Sequence, residues 1–220
     1  MNIAMMLSGF LFLLIIIVLT LATSRFGYEI YSDLDSEALL QKINKDPKKF
    51  RIGVKLVIFE HIIIITLAIM MFIAFNSYNI ILAVVWTISR AGEGTIQIYN
   101  KKSYFGLINL AKQYSGSSGA VKKGLIDNGL SILKSKNSVF SFAQILFSIG
   151  TLSYCILFII YEVVPPIIGW LGLVAALIYL FGNGIRFVKP NFNALWNLGG
   201  LLIWIFELVL GGWLLFYPLF

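Results

Sequence analysis

The sequence predicts an all-α membrane protein, a bundle of six transmembrane helices with short amphipathic surface helices in the first and third connections. Three observations carry that prediction. Only 12% of the 220 residues are charged and 59% are hydrophobic, whereas a soluble domain carries roughly 25% charged residues. The apolar residues fall into six runs, each of the roughly 20 residues that a helix needs to cross a hydrocarbon core about 30 Å thick. Lys and Arg sit almost entirely between alternate runs, which is the pattern that sets membrane orientation. Residues 1–220 read as a single integral membrane domain.

Span 1 covers residues 3–22. It lacks the basic start of a signal peptide and its apolar core is too long for one, so it reads as a retained helix. The Ala22-Thr-Ser24 end leaves cleavage as the alternative. Residues 23–51 are polar. Within them Ser36 to residue 44 reads as a short helix capped by Asp35 or Ser36 and stopped by Pro47. Leu39, Leu40 and Ile43 share one face, which is expected to lie on the membrane surface.

Span 2 covers residues 52–75. The very short connection at Asn76-Ser-Tyr78 makes span 3, residues 79–99, its antiparallel neighbour. The span 3 helix continues past the membrane through Tyr104, Ile108 and Ala111. Ser115-Gly-Ser-Ser-Gly119 is a flexible break, and residues 120–135 form a Lys-rich surface stretch. Span 4 covers 139–161, Pro165-Pro166 makes a corner, and span 5 covers 167–187. A turn at 189–193 leads to span 6, residues 195–217.

Orientation follows from the basic residues. Connection one carries Arg25, Lys42, Lys45, Lys48, Lys49 and Arg51. Connection three carries seven lysines between Lys101 and Lys136. Connection five carries Lys189, with Arg186 just inside span 5. The termini and connections two and four carry none. Connections one, three and five are therefore expected on the cytoplasmic side of the cell membrane, with both termini outside. The net charge of +7 is accounted for by anionic headgroups; the partners expected are membrane lipids and a protein partner or second copy, and no nucleic acid.

The polar residues inside the spans form stripes. In span 3, Thr87, Arg90, Glu93, Gln97 and Asn100 fall at steps of three and four, hence on one helix face. Matching faces are Ser141, Gln144, Ser148, Thr151 and Cys155 in span 4, and Gly172, Ala176, Tyr179, Asn183 and Arg186 in span 5. Span 6 offers Asn197, Gly200, Trp204, Glu207 and Gly211. At 1.5 Å per residue Glu60 lies about 12 Å from the cytoplasmic entry of span 2 and Arg90 about 16 Å from the opposite entry of span 3. A Glu60–Arg90 pair is therefore expected, with Glu93 one turn deeper and able to receive Arg186. An ionised side chain at a helix centre costs about 2.5–3.5 kcal/mol, so these groups must face the bundle interior, a wet cavity or a partner. The candidate ligand or ion interior is Glu60, Arg90, Glu93, Gln97, Gln144, Asn183, Arg186 and Glu207. Two readings stand side by side: a structural ion cluster that fixes packing, or a polar interior that binds or moves a small ligand or protons. Glu207 has no obvious cation at its level.

Other chemistry is excluded. The only Cys, Cys155, and the only His, His61, rule out disulfides within the chain and any multi-imidazole or thiolate metal site. No catalytic set, metal site or cofactor motif is found. Gly116-Ser-Ser-Gly119 has the Gly-x-Ser-Gly form of the rhomboid intramembrane proteases, but it lies in a polar, Lys-flanked connection and reads as a linker. Chemistry by Glu60 or Glu207 as acid or base lacks a nucleophile at helical spacing. Besides the ligand-binding or transport reading stands a non-catalytic scaffold, which docks a partner through the segments at 36–44 and 120–135.

Four pieces of sequence stand out as motifs: Ile43-Asn-Lys-Asp-Pro47-Lys-Lys-Phe50-Arg51-Ile-Gly53, Arg90-x-x-Glu93, Pro165-Pro-Ile-Ile-Gly-Trp-Leu-Gly172, and Glu207 through Trp213-Leu-Leu. In these the chain resembles a bacterial and archaeal six-span family known as domain of unknown function 4386. It departs from that family's pattern in having no basic residue at the N-terminus or near the Pro corner, where Glu162 stands instead. The resemblance implies a six-helix bundle in the cell membrane and no established activity.

Overall fold

The computed structural model describes residues 2–189 and 192–217. Among the described residues there are seven helices and no strand: α1 (Asn2–Ser24), α2 (Ser36–Lys45), α3 (Pro47–Phe75), α4 (Ile80–Ser115), α5 (Gly119–Tyr161), α6 (Pro166–Val188) and α7 (Ala194–Phe216). The turn expected at 189–193 includes residues 190 and 191, which lie outside the described residues. Five helices, α1, α3, α5, α6 and α7, are long and apolar enough to cross a membrane. Helices of that kind need lipid as their solvent, and the protein is membrane-embedded. The remaining long helix, α4, carries Arg90, Glu93, Lys101 and Lys102 in its middle turns.

Local chemistry sets the helix ends. The Asp35 carboxylate accepts from the Ala38 backbone N–H at 3.0 Å and starts α2. Asp46 ends α2 and caps α3, its carboxylate accepting from the Lys49 N–H at 2.9 Å. Pro47, at the first position of α3, gives up an N–H that would have had no partner there. Asn79 caps α4 through a 3.1 Å bond from the Leu82 N–H. At Glu162, after α5, the backbone turns left-handed, with φ 48°, and Pro166 opens α6.

Two expectations about the connections change. The apolar face of α2 is covered by protein rather than offered to the membrane surface: Leu39, Leu40 and Ile43 are buried in a core with Val54, Tyr104 and Leu133. Glu37 of α2 accepts from the Tyr114 hydroxyl at 2.6 Å, which ties α2 to α4. Residues 120–135 are not a separate surface helix. They are the first half of the 43-residue α5. Between Leu130 and Ile149 the chain has no Gly or Pro, so nothing breaks the ladder of hydrogen bonds where polarity alone suggested a boundary.

The chain divides into two compact units. Unit 1 takes residues 1–17, 61–95 and 141–220, and unit 2 takes residues 18–60 and 96–140. Unit 1 is packed through small residues. Gly9 of α1 lies against the backbone of Gly211 and Leu215 in α7, and Gly211 lies against Phe12. Gly182 meets the Trp196 backbone, and Gly199 meets the Tyr179 backbone, so α6 and α7 touch main chain to main chain. Close approach of this kind recovers the dispersion energy that drives helix association in lipid. In α7 the buried face is Gly199, Ile203, Phe206, Leu210, Gly211 and Leu214. Of the face expected for span 6 only Gly211 is buried: Trp204 is 48% exposed, Asn197 is exposed, and Gly200 and Glu207 are half-buried. Gly172 of α6 receives the Phe206 ring, and this contact rotates α7 away from its polar stripe.

Unit 2 has a core from α2, α3, α4 and α5 around Tyr104, which meets the Tyr28 ring edge-on at 5.9 Å. Every Lys and Arg of the chain except Arg90, Arg186 and Lys189 falls in this unit.

Candidate functional sites in each unit

Six of the eight expected site residues, Arg90, Glu93, Gln144, Asn183, Arg186 and Glu207, lie in unit 1, and Glu60 and Gln97 lie in unit 2. The α4 stripe turns inward: Arg90, Glu93, Gln97 and Asn100 are buried, while Ile88 is exposed.

Arg90 is 1% exposed. Its Nη1 donates to Glu93 Oε2, three residues on along α4. Its guanidinium carbon lies 4.4 Å from the centre of the Phe147 ring and 5.5 Å from that of Trp86. The charge is thus held by one carboxylate and two aromatic faces, an arrangement worth about 2 kcal/mol or more per ring when desolvated. Gly150 makes room for it: a side chain there would meet Ser89 Cβ at 3.2 Å and Arg90 Cγ at 3.4 Å.

Around this pair lie donors that have no acceptor. Arg90 Nε, Trp86 Nε1 and the Tyr154 hydroxyl are buried and make no hydrogen bond. They are contiguous, since the Trp86 and Tyr154 ring centres lie 4.5 Å apart, edge to face. A buried donor left unsatisfied costs about 1–3 kcal/mol.

In α6 the face of Gly172, Ala176, Tyr179, Asn183 and Arg186 is buried. Tyr179 lies within electrostatic range of both Glu93 and Glu207 and beside Asn183 and Trp196. Asn183 Nδ2 donates back to the Tyr179 carbonyl at 2.8 Å, and the Arg186 guanidinium stacks over the Trp196 ring at 4.3 Å. In α5 the expected face, Ser141, Gln144, Ser148, Thr151 and Cys155, is buried.

In unit 2 the expected residues meet partners that the sequence reading left in the connections. Gln97 Oε1 accepts from Lys101 Nζ at 3.0 Å. The Lys101 ammonium sits 5.7 Å from the Tyr28 ring, and that of Lys136 sits 5.3 Å from the same ring. Lys136 spends its three donors on the Glu29 carbonyl, the Ile30 carbonyl and the Ser32 hydroxyl, at 2.7, 3.1 and 2.8 Å. Asn137 pairs with the Ser32 backbone in both directions. Burial pulls Lys101 down to about 8, against the opposing pull of the Glu60 carboxylate. Burial pushes the Tyr28 hydroxyl up, and the Tyr104, Glu60 and Glu29 charges push it further. Lys101, Lys136, Tyr28 and Tyr104 are the polar residues that sequence reasoning missed. The signal was there for Lys101, which stands four residues after Gln97 on the Arg90 stripe.

Among the described residues no group of three or more His, Cys, Asp or Glu side chains is placed to hold a metal ion. One family model, described as Domain of unknown function (DUF4386), matches residues 7–217. No curated protein and no solved structure matches the chain.

Proposed function

We propose, for a chain that belongs to the DUF4386 family, a six-span protein of the cell membrane that binds a small ligand rich in hydrogen-bond acceptors within unit 1. The observation that carries this reading is the contiguous set of buried donors at Trp86, Arg90 and Tyr154. Glu93 already balances the Arg90 charge, so the ligand needs acceptor oxygens more than it needs net charge. Aromatic walls with a few placed donors are the usual lining of a ligand site.

Tyr154→Phe tests it, because the change removes one donor and keeps the ring. If an acceptor meets Tyr154, the variant purified from its membranes melts lower. It also retains about fivefold less of its co-purifying small molecule by native mass spectrometry, the loss of one ordinary hydrogen bond of about 1 kcal/mol. If nothing meets it, removing an unsatisfied hydroxyl raises the melting temperature, and a rise removes this reading.

The sixth span in this proposal is the first part of α4. At 36 residues it is about 54 Å long, and the mutual pairing of Arg90 and Glu93 lowers the cost of their depth. The basic residues favour a cytoplasmic location for connections one, three and five.

A second reading is favoured by the outer face of α5, where Val121, Lys123 and Lys134 are exposed: a scaffold that docks an acidic protein partner. Deleting 115–135 would strip Leu125 and Leu133 from the unit 2 core, so the sound test is Lys123→Glu with Lys134→Glu. Loss of a stoichiometric co-purifying protein with the fold intact supports docking; unchanged composition removes it.

A further inference from the structure

Between α5 and α6, on the outer side of unit 1, lies a groove of about 610 Å³. Its walls are Ile145 of α5 with Leu180, Phe181, Ile185 and Val188 of α6. Phe181 and Val188 are exposed. Gly184 also lines it, and a Cβ added there would meet nothing within 4 Å. Lys189 and Phe192, which follow the end of α6, complete the lining. Lys189 is the only charged residue of the lining. Its backbone N–H donates to the Ile185 carbonyl at 2.7 Å and closes α6. Among the described residues its ammonium makes no ion pair.

A long apolar trough along a helix fit to cross a membrane, with one cation where that helix ends, has the two halves of a lipid site. The trough matches part of an acyl chain in polarity. The ammonium matches a phosphate, and Phe192 sits where aromatic side chains anchor at the interface. A neutral hydrocarbon leaves the lysine unanswered, and a soluble anion leaves the trough unanswered. Only an amphiphile with a negative head satisfies both, and a basic residue at the membrane surface attracts anionic lipid.

We propose that the α5–α6 groove binds one anionic glycerophospholipid, an acyl chain lying over Gly184 and the phosphate on Lys189. The site is separate from the Trp86, Arg90 and Tyr154 donors and does not depend on the ligand proposed there.

The full chain is purified in detergent and exposed to equal amounts of phosphatidylglycerol and phosphatidylcholine with matched acyl chains. Bound lipid is then counted by native mass spectrometry. Wild type is expected to retain one phosphatidylglycerol at least threefold over phosphatidylcholine. Lys189→Ala is expected to bring the two to parity. A Cβ at Gly184 meets nothing within 4 Å, so Gly184→Leu has room to enter the groove; with its melting temperature checked against wild type, it is expected to lower retention of both lipids. Equal retention by wild type overturns the proposal, and so does retention unchanged by Gly184→Leu. Loss of a second copy of the chain rather than of a lipid in Gly184→Leu overturns it in favour of an interface between copies.

Discussion

Lys101 has an ammonium group in a place where a connecting segment would ordinarily leave it in water. It is 1% exposed, and Gln97 supplies its one hydrogen bond. Its neighbour Lys102 is exposed, so the pair is one inward and one outward residue on the same turn of α4. Because the folded state holds Lys101 near 8 and an unfolded lysine titrates at about 10.4, the unfolded chain binds more protons between those values. Stability from this residue is therefore lowest below pH 8, rises through that window and is fully recovered above it. The melting temperature of wild type minus that of Lys101→Met, measured from pH 7.5 to 9.5, is expected to climb. A flat difference would show that Lys101 keeps its proton. The Arg90 stripe could be read from spacing, and it continues to Lys101 by one further step of four. What hid Lys101 was its company: two adjacent lysines after an apolar run have the appearance of a membrane edge. Only the Tyr28 ring and Glu60, brought in from other parts of the chain, show that one of them faces inward.

At the scale of elements, glycines separate what packs from what stays open. Gly182 and Gly184 are two residues apart on α6, yet a side chain at Gly182 would meet the Trp196 nitrogen at 2.7 Å and one at Gly184 meets nothing. Backbone cannot move aside as a flexible side chain can. Gly182→Leu is expected to lower the folded yield in detergent or to lower the melting temperature sharply, whereas Gly184→Leu leaves it unchanged or raises it, since Leu is the better helix former by roughly 0.8 kcal/mol. Similar behaviour of the two variants would mean that α6 and α7 are not in main-chain contact. Helix existence was legible in the sequence because apolar runs and breakers mark it: the stops at Pro47 and Pro165-Pro166 fall where α2 ends and α6 begins. The length of α5 was not, since Lys134, Lys136 and Asn137 are polar without being helix breakers. The face of α7 was misread for a different reason. Its polar stripe is real, but Gly199 and the Phe206 ring have partners of complementary shape, and shape outweighed polarity in choosing which side is buried.

For the whole molecule the decisive quantity is the number of crossings, and α4 decides it. Five helices qualify by apolarity, while α4 carries its ionic groups inward and so reads as less apolar than its exposed face is. Sidedness and crossing number can be read in one experiment. The sole cysteine, Cys155, is buried, so the parent protein serves as an unlabelled control. Ser77→Cys, Ser118→Cys and Glu162→Cys each place a thiol at an exposed position in connections two, three and four. If α4 crosses, residues 77 and 162 share one side and 118 lies on the other. If α4 does not cross, 77 and 118 share a side and 162 stands apart. The lysines of connection three favour the cytoplasmic side for residue 118. An impermeant maleimide added to intact cells is therefore expected to label Ser77→Cys and Glu162→Cys, and to reach Ser118→Cys only after lysis. Labelling of 77 and 118 together reduces the count to five, and labelling of 118 alone inverts the orientation while keeping six.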